Sequence, residues 1–330
     1  MSVQITIIGL GQVGSSIGLA LAGQKNIKRV GHDKSFEVAR AAQKAGAVDE
    51  TRVNLPASVR DANVVILSLP LSEIKETLGY IAPDLQDGVV ILDTAPAKGK
   101  VAAWVGELIP QGRYYVGLAP AAGAEYLHGI EMGVAAARAD LFKNGLFLIN
   151  APSGTPSEAL DLASNLVSLL GAQGIFTDPL EADGLIASTH VLPQLAGAAL
   201  LDATINQPGW VEARKLAARP YATATAAFAY HDEAKSLGDA ALANSENMVR
   251  VLDVYMESLQ KMRDKIAEGD GNGLTKFLED AVKARDRWFG ERLKAEWQGV
   301  DRSREDTQSF GERLSHIFMG NMWERAKKKK

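Results

Sequence analysis

The first half of the chain alternates short apolar runs with segments of helical periodicity. The apolar runs are rich in β-branched residues and predict strands at Val3–Ile8, Arg29–His32, Val64–Leu69, Val89–Leu92, Tyr114–Val116 and Leu146–Ile149. Helical patterns lie at Gly14–Ala22, Phe36–Ala45, Leu71–Tyr80, Lys98–Leu108 and Ser157–Leu170, and a last short strand is expected at Gly174–Thr177. Continuously apolar strands are typical of a sheet that is covered on both faces. The alternation therefore predicts the α/β class, with a doubly wound parallel sheet.

After Asp178 the pattern predicts helices only. Apolar residues recur at helical spacing in Glu181–Asn206, Ser236–Gly269 and Leu274–Trp297, with a break expected at Gly271–Gly273. The predicted organisation is an α/β domain at 1–177, an all-helical domain at 178–300 and a C-terminal extension at 301–330 that ends in four lysines.

Composition narrows the possible functions. Lysine and arginine number 36 against 40 acidic residues, for a net charge of −4, which argues against a generally basic nucleic-acid binder. The absence of cysteine excludes disulfides, thiolate catalysis and cysteine-ligated metals. The N-terminus lacks the pattern of a signal peptide, and the apolar stretch 184–201 contains polar residues that make it a poor membrane span. We therefore expect a soluble cytoplasmic protein.

A glycine-rich loop directly follows the first predicted strand. Residues 9–14 read GLGQVG, the spacing GxGxxG, and they open the first predicted helix. Gly9 would permit a tight turn, Gly11 a close approach to a pyrophosphate, and Gly14 close packing of helix on strand. Gln12 and Val13 would begin the helix, whose N–H groups favour phosphates. The sequence thus predicts a Rossmann-type dinucleotide-binding domain.

The residue that ends the second predicted strand bears on the choice of cofactor. Asp33 lies 19 residues after Gly14, where the fingerprint places an acceptor for the ribose hydroxyls. Its charge would repel a 2′-phosphate, which favours NAD over NADP, whereas the adjacent Lys34 leaves NADP open.

Two further strand ends are expected to lie beside the cofactor. Ser68, Leu69 and Pro70 end the third strand and Asp93 ends the fourth. Ligands of parallel sheets bind outside the carboxyl ends of the strands, so both ends should reach the site. Asp93 has an alternative role as the cap of the following helix.

The order of several motifs resembles the prephenate/arogenate dehydrogenase family. Residues 93–98 read DTAPAK against the family's DxxSxK, residues 116–123 read VGLAPAAG against VGSHPMxG, and residues 190–194 read HVLPQ against SHLPH. With the glycine loop and the closing helices that run from Asn244 to Arg285, the resemblance covers about Val3 to Arg287.

The resemblance implies both a fold and a reaction. The family has a dinucleotide domain followed by a helical domain that dimerises. A hydride leaves a ring carbon that bears a hydroxyl, a carboxylate is lost as carbon dioxide, and the product is aromatic. A histidine of the SHP motif lies against the hydroxyl, and an arginine of the helical domain clamps the carboxylates.

The sequence departs from the family at the positions that carry this chemistry. Ala119 stands where the family has its histidine, Leu118 replaces the preceding serine, and Pro96 replaces the serine of DxxSxK. The arginine-bearing TRIA stretch of the family has no clear counterpart in Thr223–Leu237. The chain therefore uses another base, acts on another substrate, or performs no chemistry.

His190 is the remaining acid/base candidate, because imidazole suits proton transfer near neutral pH. Thr189 and Gln194 would line the same site, if the helix faces the crevice beside the cofactor. The alternative is a purely structural role, as a histidine buried in the core. Lys98 and Arg219 are candidate partners for a substrate carboxylate, with solvated surface roles as the alternative. His128, His231 and His316 are weaker candidates.

The sequence supports three hypotheses. The first is an NAD-dependent dehydrogenase of tyrosine biosynthesis that acts on prephenate or arogenate. The second is a divergent dehydrogenase of the same fold that takes another small carboxylate-bearing substrate. The third is a dinucleotide-binding protein without catalysis. In each case the apolar helical half predicts a homodimer.

Overall fold

The computed structural model describes residues 2–129, 131–230, 234–295 and 297. These residues form two compact units, 2–182 and 183–297. The boundary expected after residue 177 lies a few residues before this division. The predicted extension at 301–330, together with His231 and His316, lies outside the described residues.

An eight-stranded sheet forms the centre of the first unit. Its strands are β1 (Val3–Ile8), β2 (Ile27–His32), β3 (Glu50–Thr51), β4 (Val64–Leu67), β5 (Val90–Asp93), β6 (Tyr114–Ala121), β7 (Leu146–Asn150) and β8 (Gln173–Thr177). Their spatial order is β3-β2-β1-β4-β5-β6-β7-β8. Every neighbouring pair is parallel except β6 and β7. The strand order reverses beside β1, where sheets of this class bind ligands.

Helices and loops complete the first unit. The helices are α1 (Gln12–Ala20), α2 (Phe36–Lys44), α3 (Leu55–Val59), α4 (Leu71–Ile81), α5 (Lys98–Leu108) and α6 (Ser157–Leu169). Strands β4 and β5 are buried along their whole length, as their apolar residues predict, and the burial of β5 includes its last residue, Asp93. The core side chains of β1, β4 and β7 pack with those of α1 and α6 in one cluster.

Three features of the sheet differ from the sequence-based prediction. Strand β3 was not predicted, because its two half-exposed polar residues form no apolar run. Strand β6 extends five residues beyond the predicted Val116, to Ala121. Strand β7 is antiparallel to β6, since the described residues of the connection between them form short 3₁₀ turns and not the crossover helix that parallel neighbours need.

Among its described residues, the second unit contains helices and no strand. It contains α8 (Leu192–Ile205), α9 (Trp210–Ala213), α10 (Arg219–Ala226), α11 (Ala234–Ala243), α12 (Ser245–Ala267) and α13 (Gly271–Lys294). The helix predicted over Ser236–Gly269 is two helices that separate at Asn244. Gly271–Gly273 begins α13 rather than lying between helices, because the Asp270 carboxylate accepts from the Gly273 N–H at 2.8 Å and caps the helix.

One long helix passes from the first unit into the second. It joins α7 (Pro179–Ile186), a π-helical turn (Ala187–Val191) and α8. Its length and composition are sufficient for a membrane span, although it is partly buried in this structure. This differs from the expectation that the polar residues of this segment make it a poor membrane span.

Candidate functional site

The loop between β1 and α1 requires glycine at two of its three motif positions. Gly9 has a φ of 89°, and a Cβ there would lie 2.1 Å from the carbonyl oxygen of Ser68. A Cβ on Gly14 would lie 2.0 Å from the carbonyl oxygen of Gly9. Both glycines therefore allow backbone segments to approach more closely than any side chain permits.

Gly11 is different, because its surroundings are open. Apart from Gly11 and its two chain neighbours, no described residue has an atom within 4 Å of the place that a Cβ of Gly11 would occupy. Gly11 is also the N-cap of α1, and the first turn of that helix has neither a side-chain cap nor an acidic residue. Unused N–H groups at a helix N-terminus favour an anion. The loop thus fits a dinucleotide pyrophosphate.

Gln12 and Val13 fix the start of α1. Val13 is half-buried and packs on the core, while the Gln12 amide donates to the Ala136 carbonyl at 3.4 Å. The backbone N–H of Arg138 donates to Ser16 Oγ at 3.0 Å. The connection between β6 and β7 therefore lies against α1.

Asp33 directly follows β2 and binds two backbone N–H groups. Its Oδ2 accepts from the backbone N–H of Leu10 at 2.8 Å, and its Oδ1 accepts from that of Ser35 at 2.9 Å. The carboxylate therefore fastens the glycine loop. Each oxygen keeps a further acceptor site, so the geometry is compatible with the predicted bond to a ribose hydroxyl.

Ser68, Leu69 and Pro70 lie beside the glycine loop. The Ser68 N–H donates to the Ile8 carbonyl at 2.8 Å, and the Leu69 side chain would be 2.9 Å from a Cβ on Gly9. All three residues are half-buried, and Pro70 directly precedes α4. The end of β4 therefore lies beside the glycine loop.

Asp93 and Lys98 form a buried ion pair at the end of β5. Both side chains are fully buried, with Lys98 Nζ 2.9 Å from Asp93 Oδ1. Asp93 Oδ1 also accepts from the Ala95 N–H at 2.8 Å, and Oδ2 accepts from the Tyr115 hydroxyl at 2.6 Å. This pairing argues against the predicted contacts of Asp93 with a cofactor and of Lys98 with a substrate carboxylate. Asp93 also does not cap α5, whose N-cap is Ala97.

Sequence reasoning missed the other members of this buried group. The amide of Asn150 donates to the Gly117 carbonyl at 3.1 Å, and a Cβ on Gly117 would lie 2.5 Å from Asn150 Oδ1 and 2.9 Å from the Tyr115 hydroxyl. The signal available in the sequence was weak: a lysine and an aspartate five residues apart between apolar runs. We infer that this group holds the ends of β5 and β6 in register.

The helix that carries His190 changes its pitch at this residue. His190 and Thr189 are exposed on the π-helical turn, an element frequent at functional sites. The exposure of His190 argues against the alternative of a core histidine. Thr189 Oγ1 donates to the Leu185 carbonyl at 2.7 Å.

Gln194 supports this turn from inside the second unit. Its side chain is buried, and its Nε2 donates to the His190 carbonyl at 2.7 Å. Its Oε1 has no hydrogen-bond partner among the described residues. Gln194 therefore fixes the backbone at His190 and keeps an unused acceptor.

Arg219 begins α10, which corrects its predicted place in a loop. Pro220 is the second residue of this helix, where its fixed φ favours helix formation. The next residue, Tyr221, packs on Trp210 with ring centroids 5.7 Å apart and shares a hydrogen bond with Thr204 at 2.8 Å. Arg219 itself is exposed, and no described carboxylate pairs with it.

Residues 17–176 match the family model "Prephenate dehydrogenase, nucleotide-binding domain". A prephenate dehydrogenase of Bacillus subtilis is 26% identical over 291 residues, which cover 86% of this chain and 75% of that protein. A cyclohexadienyl dehydrogenase of Zymomonas mobilis is 26% identical, over 85% of this chain and 94% of that protein. The chain belongs to the prephenate/arogenate dehydrogenase family. Its first unit is accordingly a nucleotide-binding domain.

The fold agrees with this membership. The structure of a prephenate dehydrogenase from A. aeolicus, solved with hydroxyphenyl propionate and NAD+, has a TM-score of 0.76 and 21% identity to this chain. The match covers 87% of this chain and 98% of that one. The predicted α/β sheet followed by a helical region is therefore confirmed.

The structure also locates the departures from the prephenate/arogenate dehydrogenase pattern. Ala119 lies in β6, paired with Leu148 of β7, and it offers only a methyl group. Leu118 is fully buried in the core. Pro96 lies in the turn between β5 and α5, next to the buried Asp93–Lys98 pair. No polar side chain replaces the family's histidine at its own position.

Proposed function

We propose that this chain is an NAD-dependent dehydrogenase of a small, carboxylate-bearing cyclic substrate, with prephenate and arogenate as the leading candidates. The observation that carries the proposal is the glycine loop. Its two close-packed glycines hold the backbone in place, and the open surface at Gly11 leaves room for a pyrophosphate. A family member without a cofactor would have no need of that open position.

NAD is the proposed cofactor, held by the N-terminus of α1 and by Asp33. Lys34, the cation that could favour a 2′-phosphate, lies 2.6 Å from Glu73 Oε1, which offsets its charge. The charge of Asp33 is thus the dominant one beside the ribose, and it disfavours NADP.

His190 is the proposed proton acceptor for the reacting hydroxyl. The chemistry that NAD supplies when bound is hydride acceptance. The chain must then remove the hydroxyl proton, and imidazole is the side chain best matched to that task near neutral pH. Gln194 orients the turn, while Thr189 and Arg219 are the proposed contacts for the substrate's polar groups.

Replacement of His190 tests this assignment. His190→Asn should lower kcat by about tenfold or more, while the dissociation constant of NAD stays unchanged because the glycine loop is intact. It should also remove the loss of rate at acidic pH, since only a neutral imidazole accepts a proton. His128→Asn is the matched control and should behave as wild type. Full rate and an unchanged pH profile in His190→Asn would exclude this role.

Two alternatives remain, and the departures at Ala119, Leu118 and Pro96 favour them. One is a dehydrogenase of the same fold that takes another small carboxylate-bearing substrate. The other is a dinucleotide-binding protein without turnover. NAD binding measured by calorimetry, beside NAD reduction with a panel of hydroxy acids, separates the two.

We also propose that the protein is a cytoplasmic homodimer formed through its helical unit. Large apolar side chains are exposed along α12 and α13, and they include Val249, Val254, Met256, Leu278 and Val282. A dimer interface would remove these exposed apolar side chains from water.

A further inference from the structure

An ion pair bridges two strand ends that lie on either side of the glycine loop. Lys34 Nζ lies 2.6 Å from Glu73 Oε1. Lys34 is the second residue after β2, and Glu73 lies in the first turn of α4, the helix that follows β4. Strands β2 and β4 are not neighbours, because β1 lies between them and pairs with both. The ion pair therefore reaches across the end of β1, where the glycine loop starts.

The bridge lies next to the place proposed for the adenosine half of the cofactor. The register sets the last residues of β2, β1 and β4 side by side, so the three strands end at one level. Asp33, directly before Lys34, accepts from the Leu10 N–H of the glycine loop and keeps an acceptor site for the proposed ribose. Dinucleotides bind outside the carboxyl ends of such strands. We therefore expect a 2′-phosphate on that ribose to lie near both members of the ion pair.

The two members of the pair differ in how firmly they are held. The Lys34 side chain is 69% exposed, whereas that of Glu73 is 25% exposed. The backbone N–H of Glu73 donates to the Pro70 carbonyl at 3.0 Å, within the first turn of α4. The carboxylate therefore projects from a fixed helix, and the flexible lysine side chain reaches it from the loop after β2.

The charges around the bridge favour a cofactor without a 2′-phosphate. Asp33, Lys34 and Glu73 contribute two carboxylates and one ammonium, which leave a net negative charge. A lysine ammonium is a common partner of phosphate groups, and Lys34 would serve as one if Glu73 did not engage it. Glu73 thus occupies the cation that a 2′-phosphate would need.

We propose that Glu73 is a second determinant of cofactor choice and that it acts by positioning Lys34. This inference rests on the proposed function, because it takes the crevice at the glycine loop to bind a nicotinamide dinucleotide. An exposed ion pair of this kind contributes little to stability, so its loss should change the cofactor preference and leave the fold intact. No sequence motif indicated Glu73, since it lies 39 residues from Lys34 in the chain.

Glu73→Gln tests the proposal, because glutamine keeps the size of the side chain and loses its charge. The probes are NAD and NADP, titrated separately into the full chain without substrate, so that the readout is a dissociation constant. Wild type should bind NAD more tightly than NADP. Glu73→Gln should lower the dissociation constant of NADP about tenfold, the effect of one added charge-assisted contact, and leave that of NAD unchanged.

Two further variants show whether the effect depends on Lys34. The double variant Lys34→Gln and Glu73→Gln removes one charge of each sign and leaves the net charge of wild type, so its NADP affinity should return to the wild-type value. Glu107→Gln is the matched control, because Glu107 is an exposed carboxylate of the same unit and pairs with Lys75 at 3.1 Å. It should bind both cofactors as wild type does.

The outcomes separate this inference from the proposed function. If wild type binds NAD but Glu73→Gln leaves the ratio of the two dissociation constants unchanged, the role of Glu73 is overturned alone. It is also overturned if the double variant keeps the NADP affinity of Glu73→Gln, because the effect then does not depend on Lys34. If the ratio depends on both residues but no substrate is oxidised, the inference stands and the dehydrogenase proposal fails. If wild type binds neither cofactor, both are overturned.

Discussion

Gly11 and Gly14 lie three residues apart, yet a methyl group would meet very different surroundings at each. Gly11→Ala meets no described atom within 4 Å, so the fold should stand while the methyl blocks the pyrophosphate. Gly14→Ala drives a Cβ to 2.0 Å from the Gly9 carbonyl, which should cost about 2 kcal/mol or more of stability. Thermal unfolding and NAD titration of both variants should show a loss of NAD binding for Gly11→Ala and a loss of stability for Gly14→Ala. Equal thermal stabilities would refute it.

Asp33 accepts a structural hydrogen bond from the Leu10 N–H, and it is also the residue proposed to select NAD over NADP. A variant that tests the selection must therefore keep the hydrogen bond. Asp33→Asn can still accept from the Leu10 N–H but loses the charge. NAD binding should weaken, and the preference for NAD over NADP should shrink by about tenfold, the effect of losing one charge-assisted bond. Dissociation constants for both cofactors measure this. If wild type binds NAD and NADP equally well, the role of Asp33 in selection is lost.

At the scale of elements, Arg29 ties β2 to α1 and to the end of α2. Its Nη1 donates to the Gly18 and Gly46 carbonyls at 2.9 and 2.8 Å, while Asp49 accepts from its side chain and from its backbone N–H. Burial raises the pKa of Asp49, but the hydrogen bonds and charge of Arg29 lower it by more, so the net pKa is below its ordinary value. The pair therefore contributes stability above the unfolded pKa of about 4 and loses it as the pH falls through the lower folded value.

Asp49→Asn should accordingly destabilise the protein at neutral pH, by about 1 kcal/mol because the carboxylate is partly exposed. The gap to wild type should shrink as the pH falls below about 4, and it should close once the pH is below the lowered folded pKa of Asp49, where the carboxyl is protonated in both states. Thermal unfolding from neutral to acidic pH follows both effects. Asp264→Asn is the control and should leave the melting temperature unchanged. A gap that stays constant with pH would contradict this account.

Local signals determined how much of the fold was predictable. The bounds of β1 are as predicted, because a segment rich in β-branched apolar residues ends at a glycine turn. The antiparallel direction of β7 was not predicted, since an apolar run does not indicate whether its strand is parallel or antiparallel to its neighbour. The division at Asn244 was also missed, because the apolar spacing continues across it while Asn244 turns its amide to the Asp183 carbonyl.

The sequence predicted the candidate site only where its geometry depends on residues that are close together in the chain. The glycine loop and Asp33 follow from spacing alone. The burial of Lys98 does not, because it depends on Tyr115, which reaches Asp93 from a neighbouring strand.

At the scale of the whole molecule, the exposed apolar surface of the helical unit predicts a dimer. Light scattering at micromolar concentration should give twice the chain mass. The double variant Val249→Glu and Met256→Glu places two charges seven residues apart on one face of α12 and should yield monomers. Val53→Glu, at a still more exposed position of the first unit, should remain dimeric. A monomeric wild type would contradict the proposal.

The central claim is that this chain oxidises a carboxylate-bearing cyclic substrate with NAD although it lacks the family's histidine. The direct measurement is nicotinamide reduction by the full chain, with prephenate and with arogenate, in the presence of NAD or NADP. The account predicts turnover with at least one of the two substrates, faster with NAD than with NADP. Binding of NAD without reduction by either substrate would contradict it.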